Sequence, residues 1–99
     1  MVLERAEFTA RQGSGDALAD LLHSRGLALA ATYTGCISFK AMRCVEDPDT
    51  FMFLAEWVSI EAHQESRMEP AHVEFREMLL PYAAGARPTV HFVEVPPAA

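Results

Sequence analysis

The chain has 99 residues, of which 51% are hydrophobic, so it is long enough for one domain and apolar enough to form a core. It carries 14 acidic against 8 basic residues, a net charge of −6, which argues against binding to nucleic acids or to anionic membranes. No segment approaches the roughly 20 apolar residues of a membrane helix, and the charged N-terminus is unlike a signal peptide. We therefore expect a single cytoplasmic domain over residues 1–99.

Hydrophobic periodicity divides the chain into seven elements. Strands are indicated where apolar and polar residues alternate or where a short run is apolar throughout, and helices where apolar residues recur every three or four positions. The first strand is imperfect, because Glu4 falls on its apolar side, and Gly85 is predicted to end the last helix. In chain order we predict a strand over 2–10, a helix over 15–31, strands over 36–44 and 50–58, helices over 60–67 and 70–84, and a strand over 88–95.

This β-α-β-β-α-β order predicts a ferredoxin-like fold of the α+β class, with an antiparallel sheet and helices on one of its faces. The other face of the sheet would then carry apolar side chains that no helix covers. They are Cys36, Met42, Met52, Leu54 and Val58. Such a patch is too apolar to leave in water, and a second copy of the sheet is the simplest cover, so we predict a homodimer.

The sequence offers no recognisable metal or cofactor motif. Cys36 and Cys44 would lie about 26 Å apart in one strand, which is too far for a disulfide. Their number and spacing do not suit zinc, and the histidines have no helical partners at ligand spacing, so we predict no bound metal. The run Gly13-Ser14-Gly15 is too short for a phosphate-binding loop, so we expect no nicotinamide or flavin cofactor.

Three short motifs resemble the antibiotic biosynthesis monooxygenase family. They are Gly35-Cys36-Ile37-Ser38-Phe39, the run from Val45 to Phe51, and Glu56-Trp57, and the similarity extends from Val2 to Val95. The resemblance implies a ferredoxin-like protomer that pairs into a dimeric α/β barrel. It also implies a cofactor-independent monooxygenase that acts on a small electron-rich aromatic molecule, of the phenol or hydroquinone type. An isomerase of a small metabolite on the same scaffold and a non-catalytic small-molecule-binding protein remain alternatives.

The resemblance further implies a set of site residues. His72 would be the catalytic base, Trp57 would act with it as a wall against the substrate, and Arg43 would hold the substrate anion. The other wall residues would be Phe39, Phe53 and Phe75. Plainer interpretations stay open: His72 could form a hydrogen bond at a helix start, Arg43 could pair with a nearby carboxylate, and Trp57 could serve only as core packing.

The other histidines are predicted to lie outside the reaction. We expect His63 on the surface or in a lid, His91 at the dimer interface and His23 in solvent. Tyr33 could donate a hydrogen bond to a ligand or only cap the loop before Gly35. The chain contains no asparagine, a residue that oxygenase and heme-degrading members of the family often use. Heme degradation ranks below the other activities because no histidine falls at the spacing after Trp57 that the resemblance leads us to expect.

Overall fold

The computed structural model describes residues 1–98 and contains five strands and four α-helices; residue 99, the last of the predicted domain, lies outside this range. The strands are β1 (Val2–Ala10), β2 (Cys36–Arg43), β3 (Thr50–Trp57), β4 (Ala83–Ala86) and β5 (Val90–Phe92). The helices are α1 (Gly15–Leu21), α2 (Leu27–Ala30), α3 (Ile60–Ser66) and α4 (Pro70–Leu79), and a π-helical segment (Leu22–Gly26) joins α1 to α2.

The strands form one antiparallel sheet in the order β2-β3-β1-β4, and β5 also pairs with β1. β4 and β5 lie end to end along the same edge, because β4 pairs with Phe8, Thr9 and Ala10 while β5 pairs with residues 3–5. They are thus two pieces of one edge strand. The predicted ferredoxin-like α+β fold is confirmed, with its fourth strand divided.

The C-terminal part of the chain departs from the predicted boundaries. α4 ends at Leu79 rather than at residue 84, and Gly85 lies inside β4 instead of ending a helix. Pro81 accounts for the early end, because proline has no N–H to continue the helical hydrogen bonds. The chain leaves α4 through a turn in which Tyr82 N–H donates to the carbonyl of Leu79 at 2.9 Å. β5 covers only three residues of the strand predicted over 88–95.

The core lies between the sheet and the helices. Phe51, Phe53, Ala55 and Trp57 share the face of β3 that the helices cover, and Trp57 is completely buried. The π-helical segment packs closely against α4 because Gly26 has no side chain. A Cβ atom there would lie 3.0 Å from the terminal methyl of a methionine in α4.

The opposite face of the sheet carries an apolar surface, with one change from the prediction. A β-bulge between Cys36 and Ser38 places Cys36 opposite Trp57, so Cys36 turns toward the core and its predicted place on the open face is wrong. The large apolar side chains left exposed on this face are Leu3, Met42, Val58, Val90 and Phe92. No helix within residues 1–98 is long and apolar enough to cross a bilayer.

Candidate functional site

A cavity of about 290 Å³ lies between the sheet and α4, with β1 and β4 along one side. This volume is close to the lower end of ligand-binding pockets, roughly 300 Å³, and suits a molecule of one or two rings. Its apolar wall is formed by Phe8, Phe39, Phe53, Phe75 and Leu79. Its polar lining includes Glu4, Tyr33, His63, Arg67, His72 and Arg76.

Four of the residues predicted for the site come together at this cavity. Phe39, Phe53 and Phe75 form a cluster in which each pair of ring centroids is 5.2–5.6 Å apart, and Phe75 meets the other two rings edge to face. His72 lies one turn before Phe75 in α4 and lines the same cavity. The structure thus surrounds one histidine with aromatic walls.

Arg43 and Trp57, which were also predicted for the site, do not line the cavity. Arg43 donates to Asp16 at 2.9 Å and to the carbonyl of Pro48 at 2.6 Å, so it ties the β2–β3 turn to α1. The structure supports the ion-pair interpretation of Arg43, with Asp16 as the partner. Trp57 is buried one layer behind the cavity, where its ring stacks on those of Tyr33 and His63.

Ser66 determines which nitrogen of His72 carries the proton. The Ser66 hydroxyl donates its only proton to the carbonyl of His63 at 2.8 Å, and its oxygen lies 3.0 Å from His72 Nδ1. With that proton directed to the carbonyl, we assign Nδ1 as the donor of the second bond, which leaves Nε2 with a lone pair. Nε2 has no hydrogen-bond partner among the described residues, so it is free to accept a proton at the cavity wall.

The surroundings of His72 keep it uncharged at neutral pH. Burial lowers the pKa of His72 to about 4, and the positive charge of Arg76 acts in the same direction. The imidazole ring stacks on Tyr33 with 4.3 Å between the ring centroids and an 11° angle between the planes. The ring is therefore held in position as a neutral base.

A second hydrogen-bonded group, formed by Glu4, Trp57, His63 and His91, adjoins the cavity, which Glu4 and His63 also line. Trp57 Nε1 donates to Glu4 Oε1 at 2.8 Å, and His63 Nε2 lies 3.4 Å from the same oxygen. The other nitrogen of His63, Nδ1, is 2.7 Å from His91 Nε2. Every contact is satisfied when Glu4 is ionised and a neutral His63 donates through Nε2 and accepts through Nδ1.

Burial shifts both central members of this group toward their neutral forms. It raises the pKa of Glu4, although the hydrogen bond from Trp57 opposes the rise, and it lowers the pKa of His63 to about 4, with the charge of His91 adding to that effect. The ionised carboxylate of Glu4 therefore depends on its two donors. The group fixes Trp57, and through it the Tyr33 ring that supports His72.

The predicted locations of His63 and His91 are wrong. His63 is 5% exposed and lies under the helices rather than in a lid. His91 sits opposite Glu4 in the β1–β5 register, so it faces the helices and not the open side of the sheet. The sequence signal for this group was Glu4 itself, because a carboxylate on the buried side of a strand requires hydrogen-bond donors around it.

Two further polar groups at the cavity, Tyr33 and Arg76, were not recognised as a pair from the sequence. The Tyr33 hydroxyl and Arg76 Nη1 are both buried without a hydrogen-bond partner in the described structure. Arg76 Nη2 is engaged, since it donates to the carbonyl of Arg67 at 2.8 Å. Burial raises the pKa of Tyr33, so its hydroxyl keeps its proton. Unsatisfied buried donors are uncommon in folded proteins, and both of these line a cavity that could admit an acceptor.

The comparisons with known proteins identify a family. The family model for antibiotic biosynthesis monooxygenase matches residues 1–78 of the chain, which include β1 to β3, α3 and nearly all of α4. No curated protein matches the chain. Within residues 1–98, no group of three or more histidine, cysteine, aspartate or glutamate side chains is arranged to hold a metal ion.

Several solved structures share the fold. An antibiotic biosynthesis monooxygenase superposes with a TM-score of 0.82 at 15% identity, covering 97% of this chain and 100% of that one. Rv0793 from Mycobacterium tuberculosis has a TM-score of 0.76 at 18% identity, covering 99% of this chain and 98% of its own. Protein SO0527 from Shewanella oneidensis has a TM-score of 0.74 at 22% identity, covering 92% of this chain and 89% of its own. At these identities the similarity establishes the fold alone.

Proposed function

The chain belongs to the antibiotic biosynthesis monooxygenase family, and we propose that it is a cofactor-independent monooxygenase of an electron-rich phenol or hydroquinone. The observation that carries this proposal is that His72, which lines an aromatic cavity, has Nδ1 engaged with Ser66 while Nε2 has no partner in the described structure. A neutral imidazole with an unpartnered ring nitrogen can act as a general base. Apolar walls with a few polar groups are typical of sites that hold a small aromatic molecule.

In the proposed reaction, His72 Nε2 accepts the phenolic proton and the Tyr33 hydroxyl donates a hydrogen bond to the phenolate oxygen. The pKa of about 4 describes His72 beside Arg76 with no anion in the cavity. A phenolate supplies the missing negative charge, and an opposite charge nearby favours the charged form of the imidazole. The surrounding phenylalanine side chains exclude water, which strengthens the attraction between the two ions.

The substrate itself supplies the electrons for oxygen reduction. Dioxygen forms a bond to a ring carbon of the phenolate, and the O–O bond then breaks as that carbon loses its hydrogen and becomes a carbonyl. The departing oxygen takes one proton from the imidazolium and the one that the ring carbon loses, and so leaves as water. The balance is phenol plus O₂ giving quinone plus water, in which the ring loses four electrons and the two oxygen atoms gain them. No separate reductant is required.

We expect the purified protein to consume oxygen when supplied with a suitable member of a panel of hydroquinones, naphthols and anthrols. An oxygen electrode, with the quinone followed by its absorbance, should show one quinone formed for each O₂ consumed. With ¹⁸O₂, one labelled atom should enter the quinone. Conversion under nitrogen would instead indicate an isomerase, and binding of the panel without oxygen uptake would indicate a binding protein; either result would contradict the proposal.

We also propose that a second copy of the chain covers the open face of the sheet. Leu3, Met42 and Phe92 are 37–47% exposed there, which is a large apolar area for a chain of 10.9 kDa. We expect sedimentation at micromolar concentration to give the mass of a dimer, and Leu3→Glu to shift it toward a monomer because the substitution would bury a charge in the interface. A wild-type protein that sediments as a monomer would contradict this arrangement.

A further inference from the structure

We infer that the substrate carries a carboxylate, and that Arg76 binds it, with Arg67 adding positive charge at the mouth of the cavity. The inference deepens the proposed function, on which it rests for the identity of the aromatic ring. The ligand class is therefore a hydroxylated aromatic acid of one or two rings.

The first argument is that one guanidinium nitrogen of the half-buried Arg76, Nη1, is buried without a counter-ion. No carboxylate lies within 4.0 Å of its guanidinium in the described chain, and Nη1 is buried without any acceptor. Arg5 and Arg11 also lack a carboxylate partner, but they are exposed and water solvates them. A buried guanidinium nitrogen has no such solvation, and charged groups are rarely buried unless they are paired.

The second argument is that the acidic residues around the cavity are already engaged. Glu4 accepts from Trp57 and contacts His63, and Glu7 lies 3.9 Å from Arg87 at the rim. The chain has an excess of acidic residues, yet none of them pairs with Arg76. The unmatched positive charge therefore remains available to a ligand.

The third argument is the position of Arg76 relative to the proposed reaction. Arg76 follows His72 by one turn of α4, and both side chains line the cavity together with Arg67. The bond from Arg76 Nη2 to the carbonyl of Arg67 holds the guanidinium at the turn between α3 and α4. A ring placed among the phenylalanine side chains could thus direct its hydroxyl toward His72 and its carboxylate toward Arg76.

The number of donors favours a carboxylate over a phosphate. Arg76 Nη1 and the exposed guanidinium of Arg67 match the two oxygens of a carboxylate, whose planar geometry suits a guanidinium. A phosphate has a further oxygen and a higher charge, and the only other buried side-chain donor without a partner among residues 1–98, the Tyr33 hydroxyl, is assigned to the phenolate.

The inference is tested by calorimetric titration with para-hydroxybenzoate and its methyl ester, both under nitrogen. The two probes share the ring and the phenol and differ in the negative charge. We expect the wild-type protein to bind the acid roughly tenfold or more tightly than the ester, because a charge-assisted hydrogen bond is lost with the ester. Arg76→Gln should lower the affinity for the acid by a similar factor and change the affinity for the ester by less than about twofold. Arg25 lies outside the cavity, so Arg25→Gln should change neither affinity.

The inference would be overturned by any of three results: the wild-type protein binds the two probes with equal affinity, Arg76→Gln loses affinity for both probes equally, or neither probe binds. The comparison of the probes on wild-type protein does not depend on the stability of any variant. Arg76→Lys adds a second check, since it keeps the charge without the planar guanidinium and should retain part of the preference. Because binding is measured without oxygen, a protein that prefers the acid but never consumes oxygen would contradict only the monooxygenase, and oxygen uptake without that preference would contradict only the carboxylate site.

Discussion

Replacement of His72 by glutamine is expected to lower the rate of oxygen uptake by roughly 10²–10⁴-fold, the usual contribution of a positioned general base. The glutamine amide can still donate to Ser66 Oγ, so the start of α4 should remain in place. The variant removes the basic ring nitrogen and keeps a donor to Ser66. The rate is measured with an oxygen electrode at saturating substrate, and circular dichroism and thermal unfolding report whether the fold is intact.

The matched control is His23→Gln, because His23 is an exposed histidine in the π-helical segment and does not line the cavity. Its rate of oxygen uptake should equal that of the wild-type protein. An unchanged rate in His72→Gln would remove His72 from the mechanism. A loss of rate in both variants would show that the effect is not specific to the cavity.

The pH dependence of kcat/KM follows from the same residue. The reactive form is the neutral imidazole, and its pKa is lowered to about 4, so the base form persists as the pH falls from 7 to 5. We expect kcat/KM to stay nearly constant over that range and to decline only as the pH approaches about 4. A decline centred near pH 6.5, the ordinary value for histidine, would mean that the base is solvated in the free enzyme or is a different group.

The sequence was sufficient for the elements whose side chains alternate or recur regularly. β1 has the predicted bounds, and β2 and β3 each end within one residue of theirs. β4 could not be anticipated, because its four residues, AAGA, carry no periodic pattern and are extended only through their pairing with β1. The bulge at Ile37 was hidden for a similar reason, since it is visible only in the register between two strands.

In the candidate site, too, the residues with a regular sequence pattern could be predicted, and those that depend on tertiary contacts could not. Phe53 and Phe39 could be assigned to one wall because each lies on a strand face whose direction follows from alternation. The partner of Arg43 could not be deduced, because Asp16 lies 27 residues away and is brought close only by the packing of α1. The roles of Ser66 and Arg76 depend on which hydrogen bonds are made or absent, and that is a property of the folded chain alone.

Replacement of Trp57 by phenylalanine is expected to lower the free energy of unfolding by roughly 2–4 kcal/mol. The loss combines a smaller buried ring with the removal of a donor to a buried carboxylate. Trp57 is fully buried, and its indole N–H is the shorter of the two contacts that Glu4 makes with a donor. Urea unfolding followed by circular dichroism measures the change, because the variant has no tryptophan fluorescence. Phe51→Leu is the matched control, since Phe51 is buried on the same face of β3 and its ring lies 5.5 Å from the Arg43 guanidinium rather than beside a buried carboxylate.

The pH dependence of that loss separates the hydrogen bond from packing. The bond from Trp57 lowers the pKa of Glu4, which burial raises, so removing it should raise the pKa further. An ionised Glu4 that has lost this donor and keeps only the longer contact with His63 then destabilises the folded state at pH 8, whereas protonation relieves this cost as the pH falls toward 5. Trp57→Phe should therefore lower the free energy of unfolding more at pH 8 than at pH 5, while the loss in Phe51→Leu should be the same at both.

In the Trp57→Phe, Glu4→Gln double-mutant cycle we expect a coupling of roughly 0.5–3 kcal/mol at pH 8. A loss that is independent of pH, together with an additive cycle, would mean that Trp57 stabilises the protein by packing alone.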